Sequence, residues 1–290
     1  MSRAHGWHRQ VGDFVWAGLQ HDGGDGQPPV LALHGWLDNA ASFAPLMASL
    51  PQRHWCAPDL PGHGESAHRP TGSWYHFIDN VSDLLALLDA MAWPQVDLVG
   101  HSMGGAIATL LAAAAPERVR SLVLLEALGP LARQDDAGFV QDLRRGMADR
   151  LRVSDKQPRV HASIASARRA RQAATPMSDH ATDLLLDRAL QAVEGGFTWR
   201  TDPRLTLATP VRASETQILA MLAAIECPTL IVLADPATPY LDGEVAERRL
   251  QALRPAQVQR LPGGHHLHLD DAEPVAAAIK PFWASLAASA

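Results

Sequence analysis

The chain alternates short apolar runs with longer segments in which apolar residues recur at helical spacing. Apolar runs bounded by turn residues predict buried strands, and a spacing of three or four residues predicts amphipathic helices. The predicted strands cover residues 14–20, 30–35, 54–60, 95–102, 119–126, 229–235 and 258–264. The predicted helices cover residues 43–50, 78–91, 104–115 and 273–288. This alternation indicates an α/β fold with a mostly parallel sheet, whose first predicted strand is expected to be antiparallel.

The alternation stops between residues 129 and 224. That stretch contains no strand-like run, and its pattern is helical and rich in charge. It is too long for a simple connection between two strands, so it predicts an inserted helical subdomain. Residues 1–128 and 225–290 would then form the α/β core.

Composition narrows the function classes. The net charge of −6 disfavours nucleic acid as the main partner, because phosphate binding depends on a surplus of clustered Lys and Arg. The sequence shows neither a signal peptide nor an uninterrupted apolar run of about 18 residues, so we expect a cytoplasmic protein without a membrane partner. Cys56 and Cys227 lie in apolar settings and are expected to be reduced core residues.

The strongest chemical motif is the segment GHSMG, residues 100–104, between a predicted strand and an Ala-rich helix. A serine at such a sharp corner is exposed at the helix N-terminus, and the strained turn needs small residues on either side. Ser102 is therefore predicted to be a nucleophile, with His101 packing beside it. The alternatives are a phosphate-binding turn or the same corner retained in a protein that has no catalytic activity.

A serine needs a base, and the segment GGHHLHL, residues 263–269, supplies three histidines. His265 follows the Gly-Gly turn directly and is the predicted base. His266 is the alternative, and His268 is expected to make supporting contacts. A metal site is disfavoured, because no Cys or Glu-rich motif accompanies these histidines.

Acyl transfer also needs hydrogen-bond donors for an oxyanion. The backbone N–H groups of Trp36 and Met103 are the predicted donors, since one follows a strand end and the other follows Ser102. The alternative for the Trp36 side chain is a core aromatic, and the two roles are compatible.

Together these motifs resemble the α/β-hydrolase superfamily. The resemblance rests on LHGW (33–36), DLPGHGES (59–66), GHSMGG (100–105) and GGHHLHL (263–269), in this order. LALHGWLDNAASF (31–43) and GGFTWRTDPRL (195–205) are similar to the serine hydrolase-like subgroup. The resemblance implies an eight-stranded sheet, a helical cap at 129–224 between the sixth and seventh strands, and hydrolysis without a cofactor or metal. Ser102, where some relatives carry Asp, implies an acyl-enzyme.

Three residues are candidates for the acid of the triad. The resemblance places an aspartate in the loop after the seventh strand, but Ala237 stands there. Asp235 precedes the expected position of the acid, and Asp242 follows it. Glu126 ends the preceding strand, and neighbouring strands lie only about 4.8 Å apart, so a glutamate could act from there. Glu126 is the leading candidate, with both aspartates left open.

The expected function is hydrolysis of a carboxylic ester or related acyl bond in a small-molecule substrate. The alternatives are a carbon–carbon bond hydrolase with the same triad and a non-catalytic ligand-binding relative. Phe197 and Trp199 in the insertion are expected to be pocket walls. A homo-oligomer is left open.

Overall fold

The computed structural model describes residues 4–24, 26–133, 137–153, 159–254 and 256–287. Ten strands occur in these ranges: β1 His5–Val11, β2 Phe14–His21, β3 Val30–Leu33, β4 Trp55–Pro58, β5 Val96–His101, β6 Val119–Leu125, β7 Leu190–Val193, β8 Gly196–Trp199, β9 Thr229–Asp235 and β10 Ala256–Pro262. The described helices are α1 Ala44–Ser49, α2 Phe77–Ala90, α3 Met103–Ala114, α4 Phe139–Arg152, α5 Ile164–Ala174, α6 Asp179–Ala189, α7 Glu215–Ala223, α8 Gly243–Ala252, α9 Leu267–Asp270 and α10 Ala272–Ala287. Residue 288, the predicted last residue of the final helix, lies outside the described ranges.

Eight of the described strands form one sheet in the order β1-β2-β4-β3-β5-β6-β9-β10. β2 pairs antiparallel with both of its neighbours, and every pair from β4 to β10 is parallel. This confirms the predicted α/β fold with a mostly parallel eight-stranded sheet. β1 was not predicted from the sequence, because this edge strand buries neither face and therefore lacks apolar alternation.

Alternate residues of the central strands enter two separate cores. In β6, Leu122 and Leu124 belong to a core that also contains residues of α2, α3, α7 and α8. Val123 and Leu125 belong to the core that contains residues of α1 and α10. Both faces of the sheet are thus covered, which explains why the strands are almost continuously apolar. The cysteines are free and buried, as predicted.

The segment from 129 to 224 is not purely helical. Besides α4, α5 and α6 it contains the antiparallel hairpin β7–β8, which the sequence pattern did not predict. These strands have only four residues each and leave most of their side chains partly or fully exposed, so they show no buried run. The last helix of the segment, α7, places Ile218 and Leu222 in the core that also contains residues of α2 and α3.

The parallel strands β3, β5, β6, β9 and β10 all run in one direction, so their carboxyl ends meet at one edge of the sheet. The residues that follow these ends are therefore close together in space although they are distant in sequence. In the part of the chain described here, no helix has the length and apolar character needed to cross a membrane.

Candidate active site

Ser102 occupies a strained turn between β5 and α3. Its φ of 52° lies in the left-handed region, which a non-glycine residue adopts at a cost of about 1–3 kcal/mol. Its N–H donates to the Leu125 carbonyl of β6 at 3.0 Å, and its carbonyl accepts from Ala106. A Cβ at Gly100 would lie 2.6 Å from the Gly104 carbonyl oxygen, and one at Gly104 would lie 2.0 Å from the Leu33 carbonyl oxygen. The two glycines therefore let the turn approach β3 and α3 closely.

The structure brings Ser102, His265 and Glu126 into one hydrogen-bonded chain. The Ser102 Oγ is 2.9 Å from His265 Nε2, and His265 Nδ1 is 3.2 Å from Glu126 Oε2. The Glu126 side chain is fully buried, whereas 23% of the His265 side chain is exposed and can meet a substrate. The hydroxyl can thus donate its proton to Nε2 while Nδ1–H donates to the carboxylate.

Hydrogen bonds with groups other than His265 also hold Glu126 in place. It follows β6 with a φ of 52°, and its N–H donates to the Val232 carbonyl of β9. The Ala234 N–H donates to Oε1 at 2.6 Å, and the Thr238 hydroxyl donates to Oε2. Burial alone would raise the pKa of Glu126, but hydrogen bonds from His265, Thr238 and Ala234 outweigh it and hold the pKa below its ordinary value. The carboxylate is therefore ionised at neutral pH.

The two alternative acids lie elsewhere. Asp235 is the last residue of β9 and Asp242 precedes α8, and both are exposed. Within the described residues, neither side chain hydrogen-bonds to His265. The loop between them instead supplies Thr238, which the sequence analysis did not single out because that stretch was searched only for an acid.

Ser102 opens into a cavity of about 560 Å³. Glu126, Trp36 and Met103 line this cavity together with Ser102 and Tyr240. Met103 is the first residue of α3, where the amides have no intrahelical carbonyl partner. Trp36 is 52% exposed, so it is not a core aromatic, and its indole N–H donates to the Leu205 carbonyl at 3.1 Å.

The predicted pocket walls in the insertion are wrong. Phe197 and Trp199 lie in the β7–β8 hairpin and are not among the residues that line the cavity. Trp199 packs its ring edge-on against His161, and the Phe197 backbone exchanges hydrogen bonds with the His161 backbone. The wall is formed instead by side chains such as Phe77, Leu131 and Leu205.

The other histidines hold the His265 loop in place. His101 Nε2 lies 2.8 Å from the His265 carbonyl oxygen, so it donates to the backbone of the predicted base. His266 Nε2 contacts Asp38 at 3.1 Å, and His268 Nε2 contacts Ser42 at 2.8 Å. All three are buried, and burial lowers the pKa of His101 well below its ordinary value and that of His268 to about 3. These two histidines are neutral at physiological pH.

Asp38 was missed by the sequence analysis, and it joins four parts of the molecule. It follows β3 and contacts His266, faces His101 Nδ1 at 3.7 Å, and pairs through Oδ1 with the Arg171 guanidinium of α5. Burial would raise the pKa of Asp38, but His266 and Arg171 hold it well below its ordinary value. Ligand atoms of Asp38, His101 and His266 lie within 4.8 Å of one another. The adjacent guanidinium would repel a cation there, which favours a purely structural cluster.

Comparison with known proteins identifies relatives along almost the whole chain. The family model for the alpha/beta hydrolase fold matches residues 28–272. A serine hydrolase-like protein from Danio rerio is 33% identical over 264 residues, which cover 88% of this chain and 81% of the relative. Serine hydrolase-like protein 2 from Homo sapiens is 28% identical over 284 residues, which cover 92% and 88%.

Solved structures agree with these relatives. A hypothetical protein from Pseudomonas aeruginosa PAO1 superposes with a TM-score of 0.91 at 37% identity, covering 96% of this chain and 99% of that one. A thioesterase domain from the curacin biosynthetic pathway superposes with a TM-score of 0.82 at 26% identity, covering 95% and 98%. The chain thus belongs to the α/β-hydrolase family and, within it, to the serine hydrolase-like subgroup.

Proposed function

We propose that the protein is a serine hydrolase that cleaves a carboxylic ester or a related acyl bond through an acyl-enzyme on Ser102. The observation that carries this proposal is the hydrogen-bonded chain from Ser102 through His265 to the ionised Glu126, set in an open cavity. Family membership supports hydrolysis in general. The ester class and the covalent intermediate are the parts proposed here.

In the proposed reaction, His265 Nε2 takes the Ser102 proton as Oγ attacks the substrate carbonyl carbon. The negative charge that develops on the carbonyl oxygen is stabilised by the Trp36 and Met103 amides, and Met103 stands at the start of α3, whose dipole adds to the stabilisation. His265 returns the proton to the leaving group, and water activated by the same nitrogen then releases the acid. Glu126 holds Nδ1–H and stabilises the charged imidazolium.

The segment 129–224 is proposed to act as the cap over this site. In support, Leu131 and Leu205 line the cavity, and Arg171 of α5 pairs with Asp38 near the site. Apolar side chains such as Phe77 and Leu131 form part of the wall, which also contains Arg145 and Arg212, and the apolar part favours a substrate with an apolar acyl or alcohol group. A small-molecule substrate in the cytoplasm remains the predicted setting for this activity.

The test is a series of p-nitrophenyl esters of increasing acyl length, with a matching thioester, run on wild type and three acid variants. We expect Glu126→Gln to lower kcat about 10³- to 10⁴-fold, the usual effect of removing the carboxylate from such a triad. Asp235→Asn and Asp242→Asn are matched controls, since both residues are exposed and lie on either side of Thr238 in the loop after β9.

The two aspartate variants should keep turnover within a factor of about two to three of wild type, the spread expected for an exposed site. If Glu126→Gln stayed near wild type while one aspartate variant lost its activity, the acid would be misassigned. If wild type turned over vinylogous diketones but no ester or thioester, the carbon–carbon hydrolase alternative would replace the proposal.

A further inference from the structure

Tyr240 lies at the reaction centre without a role in the triad. The chain has two tyrosines, Tyr75 and Tyr240, and both line the cavity. The Tyr240 hydroxyl is 3.2 Å from His265 Nδ1 and 3.4 Å from His265 Nε2. Both contacts are within hydrogen-bond distance, but Nδ1 carries the proton that it donates to Glu126, and the Nε2 lone pair accepts the Ser102 proton, so neither nitrogen offers a free lone pair to the Tyr240 proton. The Tyr240 proton can therefore turn toward a bound substrate.

The position of this hydroxyl is fixed by the loop that follows β9. Thr238, two residues earlier, donates to Glu126, and the Leu241 N–H donates to the Thr238 carbonyl at 2.8 Å. The Leu241 side chain is buried in the core that contains residues of α2 and α3. This burial anchors the short 3-10 helix Pro239–Leu241 that carries Tyr240. The stretch in which Ala237 replaces the expected acid thus presents two hydroxyls to the site.

The hydroxyl remains a donor under ordinary conditions. Burial raises the pKa of Tyr240 to about 12, and the neighbouring Ser102 hydroxyl lowers this pKa by a smaller amount. Tyr240 is also 47% exposed, so its hydroxyl can meet a substrate group entering from the cavity. A phenol that keeps its proton beside the Ser102–His265 pair can bind a developing negative charge.

We propose that Tyr240 donates a hydrogen bond to the leaving-group oxygen during acylation. The site then favours esters of aliphatic alcohols, whose alkoxide leaving groups are strongly basic. This inference rests on the proposed function. His265 must lie on the leaving-group side, since it returns a proton to that oxygen, and Tyr240 lies next to His265. The Trp36 and Met103 amides are assigned to the carbonyl oxygen instead.

The step conserves atoms and charge. When the tetrahedral intermediate collapses, the bond between the carbonyl carbon and the alcohol oxygen breaks, and its electron pair goes to that oxygen. The oxygen takes the proton that His265 Nε2 removed from Ser102, and the alcohol leaves an acyl group on Ser102. Tyr240 keeps its own proton and donates a hydrogen bond while the oxygen carries negative charge.

The test compares leaving groups on one acyl group, because kcat/KM then reports acylation to a common acyl-enzyme. The esters are p-nitrophenyl, phenyl, trifluoroethyl and ethyl, in order of rising leaving-group basicity. For Tyr240→Phe we expect kcat/KM to fall about 10- to 100-fold on the ethyl ester, the effect of losing one hydrogen bond to a charged atom. On the p-nitrophenyl ester, whose leaving group needs little stabilisation, the fall should be less than about threefold.

Tyr75→Phe is the matched control. Its hydroxyl also lies in the cavity wall, but it donates to Asp202 at 2.7 Å and accepts from the Arg69 N–H. Any loss in this variant should be equal across the ester series. Labelling of Tyr240→Phe by a fluorophosphonate, whose fluoride leaves readily, should proceed at close to the wild-type rate and shows that the variant is folded with Ser102 and His265 in place.

A steeper dependence on leaving-group basicity in Tyr240→Phe than in Tyr75→Phe supports the inference. An equal fall on every ester, or no fall, overturns it while leaving the serine hydrolase proposal intact. If wild type is neither labelled nor active on any ester, the proposed function fails and this inference fails with it.

Discussion

Replacing Arg171 by Met is the most informative stability test, because this residue ties α5 to the core. Arg171 is 10% exposed and Asp38 is 1% exposed, and they pair across 133 residues of sequence. Removing one partner of a buried ion pair costs about 3–5 kcal/mol, since the other charge remains buried without its counter-ion. Asp38 would keep its contact with His266 through Oδ2, so we expect a loss near the lower limit, about 3 kcal/mol.

The assay is urea unfolding followed by far-UV circular dichroism, with Arg169→Met as the matched control. Arg169 lies on the same helix but is exposed, so its replacement should change the free energy of unfolding by no more than about 0.5 kcal/mol. Adding Asp38→Asn to Arg171→Met should recover part of the loss, because it removes the stranded charge. Equal stability of the two single variants would show that the pair between Arg171 and Asp38 does not stabilise the fold.

Two further predictions concern the stability of the folded state. Burial lowers the pKa values of His34, His63, His101 and His268, so the unfolded chain takes up protons that the folded chain cannot once the pH falls below about 6.5. The free energy of unfolding should then fall by up to about 1.4 kcal/mol per pH unit for each histidine, and equal urea midpoints at about pH 7 and about pH 5 would contradict this. Gly104→Ala should destabilise by more than about 3 kcal/mol or prevent folding, because its Cβ would lie 2.0 Å from the Leu33 carbonyl oxygen. Gly24→Ala, where a Cβ meets nothing within 4 Å, is the control, and similar melting temperatures for the two variants would contradict the close approach.

The parts of the fold that depend on local patterns could be predicted from the sequence. Doubly buried strands such as β6 produce continuous apolar runs, and the Ser102 corner needs glycines at fixed positions nearby. The edge strand β1 and the hairpin β7–β8 leave most of their side chains partly or fully exposed, so they carry no such pattern. β1 pairs with β2 and β7 pairs with β8, in each case as an antiparallel hairpin, and apolar periodicity does not reveal this pairing.

The candidate site likewise contains residues that the sequence could indicate and residues that it could not. Glu126 could be proposed because it ends a strand next to the strand that normally leads to the acid, so only the sheet order was needed. Tyr240 and Thr238 could not be placed, since their position depends on the path of one loop across the sheet edge. The contact between Asp38 and Arg171 joins residues that no local pattern relates. The cavity wall was misassigned to Phe197 and Trp199 for the same reason.

The proposed reaction requires Ser102 to be the nucleophile that forms a covalent bond with the substrate. Mass spectrometry of the intact, folded protein after treatment with a fluorophosphonate, followed by peptide mapping, shows whether Ser102 forms a covalent phosphonyl adduct. We expect one adduct per chain on Ser102, lost in Ser102→Ala and formed far more slowly in His265→Gln, because His265 Nε2 lies 2.9 Å from Ser102 Oγ. A folded protein that forms no adduct on Ser102, or that is labelled equally fast without His265, would show that these two residues are not the nucleophile and its base.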